Sequence, residues 1–226
     1  MSTVAFYLDF VSPYSYLALT QARSFERDHG VRFEVRPVVY AKLLDAAGLV
    51  GPAEREAKRR YTFADILRVA HRLGVPLVGP PAHPFRSLEA LRALTLWRHD
   101  DRALDLAVAL STAAWGKGRD LTDVAVIADV VAAAGFDPAE LATRVASDDV
   151  KQALASETAA AIDAGVFGVP TFAVGGEMFW GQDRMDHLAE HLAGRLPKAA
   201  EIAEPLLARP RGADRRILRP PRGDER

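Results

Sequence analysis

Two hydrophobic periods alternate along the chain. Val4-Ala5-Phe6-Tyr7-Leu8 is a short apolar run rich in strand-forming side chains, and it stops at Asp9. Ser12-Pro13 then offers a helix cap followed by the residue best suited to the first helical position. From Tyr14 to Arg27 the period changes: Tyr16, Leu17, Leu19, Ala22 and Phe25 recur at helical spacing until His29-Gly30 closes the segment. Val31 to Val38 alternates apolar and polar residues and predicts a second strand. A strand, a helix and a strand in this order form a βαβ unit, with parallel strands and a right-handed crossover.

The spacing from Leu43 to about Gly165 predicts helices almost throughout, over 54–73, 86–99, 101–115, 122–134, 138–146 and 147–165, separated by Gly, Pro and Asp-Pro breaks. Strand signals return at Thr171-Phe172-Ala173-Val174, and Gly175-Gly176 supplies a two-residue turn into Glu177-Met178-Phe179-Trp180. An amphipathic helix from Arg184 to Leu196 follows. The resulting class is α/β: βαβ, a large all-helical insertion, then ββα, giving a small mixed sheet with helices on its faces. The expected units are 1–42 with 166–196 as the sheet domain and 43–165 as the insertion. Residues 197–226 form a Pro- and Arg-rich tail, with eight basic and five acidic side chains against a whole-chain formal charge of −1, and are expected to be largely disordered.

Composition narrows the function. With 49% hydrophobic and 26% charged residues in 226, the chain reads as a compact soluble protein, and its charge balance gives no reason to expect nucleic acid as a partner. No basic leader precedes the first apolar run and no apolar stretch is long enough to span a bilayer, so a cytoplasmic address and no membrane partner are expected. The chain has no cysteine. Disulfides, thiolate metal sites and a redox role for its own thiols are thereby excluded, and any sulfur chemistry must arrive on a bound molecule.

Three segments carry candidate chemistry. Asp9-Phe10-Val11-Ser12-Pro13-Tyr14 puts a small hydroxyl at a strand-to-helix turn, where free N–H groups and the helix dipole favour an anion such as a thiolate; a plain N-cap serine fits the same residues. Gly165 to Phe172 places Pro170 directly before a strand. In the cis form the Val169-Pro170 bond turns neighbouring backbone groups toward a ligand, and a trans proline opening a strand fits as well. In Trp180-Gly181-Gln182-Asp183, the carboxylate of Asp183 suits either a ligand ammonium group or a helix cap. The fold would bring all three to one edge of the sheet. His187 and His191, at i and i+4, lack a third ligand nearby and read as a surface pair, with no metal site expected.

The motifs DFVSPYSYLA, GVFGVPTF and EMFWGQDRM, in this order, together with Lys58-x-x-Tyr61-x-x-x-Asp65 and Ala114-Trp115-Gly116-Lys117-Gly118, resemble the 2-hydroxychromene-2-carboxylate isomerases, relatives of the kappa-class glutathione transferases with a thioredoxin-like fold. The resemblance spans residues 3 to about 196. It implies that Ser12 holds the sulfur of glutathione, that Val169 beside cis-Pro170 pairs with the cysteinyl peptide, and that Trp180, Gly181, Gln182 and Asp183 line the rest of the tripeptide site. It further implies Lys58, and after it Arg86, as cations for the carboxylate of a small-molecule intermediate of aromatic breakdown, and a homodimer. Leu49 stands where the isomerases commonly carry asparagine, which would make the second-substrate pocket more apolar. Two other functions fit the same resemblance: a kappa-like transferase or peroxidase, and a non-catalytic binding module.

Overall fold

A computed structural model describes residues 2–210 and 212. Strand β1 (Ser2–Leu8) runs into helix α1 (Pro13–His29), which returns the chain to β2 (Val31–Pro37). A helical stretch follows: α2 (Tyr40–Ala47), α3 (Glu56–Leu73), α4 (Leu88–Leu96), α5 (Ala103–Ser111), α6 (Val124–Ala133), α7 (Pro138–Arg144) and α8 (Asp148–Asp163). The chain closes with β3 (Thr171–Val174), β4 (Glu177–Trp180), α9 (Met185–Leu192) and α10 (Ala199–Leu207).

The sheet order is β2-β1-β3-β4; β1 and β2 are parallel, whereas β3 lies antiparallel to both β1 and β4. This is the thioredoxin-like arrangement with a helical insertion between β2 and β3. The strands alternate as their sequences require: Val4, Phe6 and Leu8 are fully buried, and Phe6 meets Phe172 across the β1–β3 pair at a centroid distance of 4.6 Å. In α1, all the residues that set the helical period, Tyr16, Leu17, Leu19, Ala22 and Phe25, are buried. Gly30 ends the helix at φ 64°, a left-handed cap that glycine adopts without steric cost.

One continuous hydrophobic core joins the sheet to the insertion, with Leu91, Leu94, Leu106, Leu110 and Trp115 packed into the same cluster as Phe6 and Leu17. Trp115 is fully buried at the end of a π-helical turn, Thr112–Gly116, and donates its Nε1 proton to the Phe10 carbonyl at 2.9 Å. The insertion thereby grips the turn that leads into α1. The segment 197–226 differs from its expected disorder where it is described: Ala199–Leu207 is helical despite Pro205, and the Ala199 N–H donates to Glu177 Oε1 at 2.8 Å. The rest of the expected tail, apart from 208–210 and Gly212, lies outside the described residues.

Candidate thiol-binding site

The end of β1, the start of α1, the loop before β3 and the turn after β4 converge on one cavity of about 890 Å³, whose far wall is α3 and the loop 83–88. Small-molecule sites occupy roughly 300–1,000 Å³, and this one lies toward the upper end of that range.

Ser12 caps α1 with extended backbone angles, φ −87° and ψ 117°, and Pro13 takes the first helical position. Its Oγ accepts from the Ser15 N–H at 3.3 Å and donates to the Val169 carbonyl, also at 3.3 Å. Serine and loop, 157 residues apart in sequence, are thus in contact inside the cavity. The Val169–Pro170 bond is cis. Among the described residues the Val169 N–H has no hydrogen-bond acceptor, and the Pro170 carbonyl accepts from the Gly181 N–H at 2.9 Å. That bond ties the loop to the turn after β4, where Gly181 adopts φ 113°, a conformation open in practice only to glycine. Trp180 lines the cavity half-exposed, with its ring edge-on to Phe167 at 4.8 Å. Gln182 is buried, and the Asp183 carboxylate pairs with Arg184 at 2.9 Å and caps no helix.

The two expected cations fare differently. Arg86 lines the cavity but is bound to Glu89 at 2.7 Å. Lys58 is exposed and outside the cavity lining, whereas its neighbour Arg59 is within it. Leu49 is also outside the lining and half-exposed, so it does not make the pocket more apolar; Leu44, Phe63, Val69 and Leu88 do that.

Three further residues of the cavity lining, Asp9, His83 and Tyr14, hold bonds that the sequence pattern does not reveal. Asp9 is 2% exposed and, among the described residues, forms no ion pair. Its carboxylate accepts from the Val11 N–H at 3.0 Å, the Tyr40 N–H at 2.9 Å and the Ser87 hydroxyl at 2.6 Å, and burial nevertheless raises its pKa, since three neutral donors offset desolvation only in part. Its place directly after an apolar strand was the signal. His83, set between Ala82 and a cis-linked Pro84, approaches the Val11 carbonyl with Nε2 at 3.1 Å. A carbonyl only accepts, so Nε2 carries the proton and Nδ1, buried without a partner, carries the lone pair. Burial lowers the His83 pKa, and the Arg59 charge lowers it further against the raising effect of the Val11 bond. Tyr14 donates to Asp65 across the cavity at 2.8 Å, and its own pKa is raised by burial and then by that carboxylate.

The donor set fits glutathione. An extended tripeptide needs a strand-like backbone partner, which the Val169 N–H offers; a sulfur needs a hydroxyl donor near a helix N-terminus, which Ser12 offers; an ammonium group needs a carboxylate, and Asp183, held by Arg184 through Oδ2, is the carboxylate at that end of the cavity.

The sequence profile of the DSBA-like thioredoxin domain matches residues 3–193. A 2-hydroxychromene-2-carboxylate isomerase from Pseudomonas putida is 32% identical over 197 residues, 85% of this chain and 95% of the relative. The human glutathione S-transferase kappa 1 is 29% identical, over 85% of this chain and 91% of its own. Among solved structures, a 2-hydroxychromene-2-carboxylate isomerase superposes with a TM-score of 0.79 at 30% identity, covering 88% of this chain and 98% of that one.

Proposed function

The chain belongs to the DSBA-like thioredoxin domain family, among its 2-hydroxychromene-2-carboxylate isomerases, and from that premise we propose that it is a glutathione-dependent isomerase of carboxylated aromatic-breakdown intermediates. It is an enzyme whose chemistry requires a borrowed thiol, because it has no cysteine of its own. On the same reading it acts in the cytoplasm as a homodimer, and its substrate is a small molecule rather than a nucleic acid or a membrane. No helix among the described residues is long and apolar enough to cross a bilayer.

The observation that carries the reading is the contact of Ser12 Oγ with the Val169 carbonyl at the mouth of α1. Glutathione, when bound, supplies a thiolate whose reversible addition to an unsaturated carbon makes a fixed double bond rotatable, and whose departure restores it. The residues of the chain do the rest. Ser12 turns its hydroxyl proton from the long Val169 bond toward the sulfur, which favours the thiolate over the thiol. The positive end of α1, 17 residues long, acts in the same direction. Val169 aligns the cysteinyl peptide, and Trp180, Gly181, Gln182 and Asp183 hold the γ-glutamyl end. The apolar wall of Phe63, Val69 and Leu88 keeps water from the reacting carbons.

The test is turnover of 2-hydroxychromene-2-carboxylate with and without glutathione, with mass spectrometry of the thiol pool. The expected result is isomerisation that requires glutathione and returns it unchanged, with Ser12→Ala reducing the rate by roughly a hundredfold, as removal of an oriented donor does. Accumulating conjugate would make the protein a kappa-like transferase instead. Turnover near wild type in Ser12→Ala would overturn the role of the hydroxyl.

A further inference from the structure

The cavity is lined by two α3 cations, Arg59 and Arg72, that no carboxylate among the described residues engages. Four guanidinium groups line it, those of Arg59, Arg72, Arg86 and Arg184. Arg86 is engaged by Glu89 at 2.7 Å and Arg184 by Asp183 at 2.9 Å. Arg59 and Arg72 form no ion pair among the described residues, yet only Arg59 has an aromatic support: its Cζ sits 5.4 Å from the centroid of Phe63. Arg72 is thirteen residues further on, roughly 20 Å along the axis of α3, at its other end.

From Arg59 an unbroken set of contacts leads to the turn that carries Ser12. The Phe63 ring meets the edge of His83 at a centroid distance of 5.4 Å and an interplanar angle of 84°. His83 Nε2 donates to the carbonyl of Val11, the residue before Ser12. Both rings line the cavity.

We propose that Arg59 receives the carboxylate of the second substrate, with Phe63 and His83 as the aromatic wall that carries the substrate's ring toward Ser12. This rests on the isomerase reading for the substrate's chemistry and goes beyond it in assigning the anchoring residue and the direction of binding. A guanidinium braced on a ring face loses little freedom when it takes a carboxylate through two parallel N–H bonds, and the aryl body of an aromatic acid then lies over Phe63 and His83. Lys58, one residue earlier, presents its ammonium to solvent outside the lining. Arg59 is therefore a specificity-determining residue: it selects aryl acids over neutral aryl compounds.

The test needs no turnover. Calorimetric titration with 3-phenylpropionate, an aryl acid without a reactive double bond, and with its neutral amide compares the wild type with Arg59→Met, Lys58→Met and Arg60→Met. Glutathione is titrated separately into each. Arg59 is exposed, so its replacement leaves the core untouched. The expected result is that Arg59→Met weakens 3-phenylpropionate by roughly tenfold or more, as loss of a charge-assisted bidentate bond does, and leaves the amide and glutathione within about twofold. Arg60→Met, which removes an exposed charge held by Glu56, leaves the acid's affinity unchanged. In turnover, KM for the carboxylate substrate rises by a similar factor with kcat little altered. Unchanged acid binding in Arg59→Met overturns the assignment, as does loss confined to Lys58→Met or a wild type that does not bind the acid. Weakened glutathione with intact acid binding would also overturn it, by giving Arg59 to the tripeptide's own carboxylate. Binding of the acid through Arg59 without any isomerisation would uphold this inference and reject the isomerase reading.

Discussion

Ser12 and His83 are held by opposite sides of the same short turn, and their surroundings determine what each can do. The Ser12 hydroxyl has a single proton, committed to Val169 through a bond long enough, at 3.3 Å, to be given up for a better acceptor such as a thiolate. His83 is bound more firmly, since its Nε2 proton is fixed on Val11 and its other nitrogen lies buried. Burial, with the positive charge of Arg59 acting in the same direction, depresses its pKa below the ordinary 6.5. The unfolded chain therefore takes up this proton before the folded one does. The stability contributed by the neutral imidazole is present above pH 6.5 and is lost as pH falls from there through the depressed folded value. His83→Gln keeps a donor for the Val11 carbonyl and removes the titration. Between pH 7.5 and 5.5 the wild type is expected to lose more thermal stability than this variant, as measured by parallel melts. Parallel slopes would mean that His83 is freely protonated in the folded protein.

Asp9 acts between elements. It follows the last residue of β1, and its carboxylate takes the Val11 N–H of the turn, the Tyr40 N–H that opens α2 and the Ser87 hydroxyl that precedes α4. Asp9→Asn must point its amide nitrogen at one of the two backbone N–H groups, because each carboxylate oxygen already serves one of them. A buried donor is then left without an acceptor, at about 1–3 kcal/mol. Urea unfolding should register that loss, and glutathione affinity should fall with it as the turn carrying Ser12 loosens; a variant as stable as the wild type would contradict the three-way tie. The elements themselves were largely legible in the sequence, because β1, α1, β2 and the β3–β4 hairpin each bury one face against the core and so display a clean period. Helix α2 was missed as a separate element: only Leu43 and Leu44 of Tyr40–Ala47 are buried, too few to set a period. The π-helical turn at Thr112–Gly116 likewise leaves no trace in the spacing, since it shifts the chain by a single residue inside a buried stretch.

What the chain as a whole adds is convergence over long sequence separations, and there local pattern runs out. Ser12, Val169 and Asp183 could be singled out because each sits where a strand meets a loop or a helix, and such junctions collect at one sheet edge. The α3 wall has no such rule. Lys58 and Arg59 are adjacent in a run of basic residues, and only the packing of α3 against the loop 83–88 decides which side chain enters the cavity. For the same reason Asp9 and His83 looked ordinary until Trp115 and Ser87 were seen to close around them. The convergence also has an outer limit. Among the described residues, every one that lines the cavity lies between Asp9 and Arg184, and the last side chain packed on the main core is Leu196. Helix α10 lies beyond that limit, joined to β4 through the Glu177 bond and leaving Ile202, Leu206 and Leu207 exposed. Among the described residues, a chain ending at Lys198 loses none that lines the cavity and none that packs on the main core. Its melting temperature should stay within about 2 °C of the full chain, a shift worth under roughly 1 kcal/mol at this size, and its glutathione affinity should be unchanged by calorimetry. A collapse of either would mean that the segment beyond Lys198 supports the folded site.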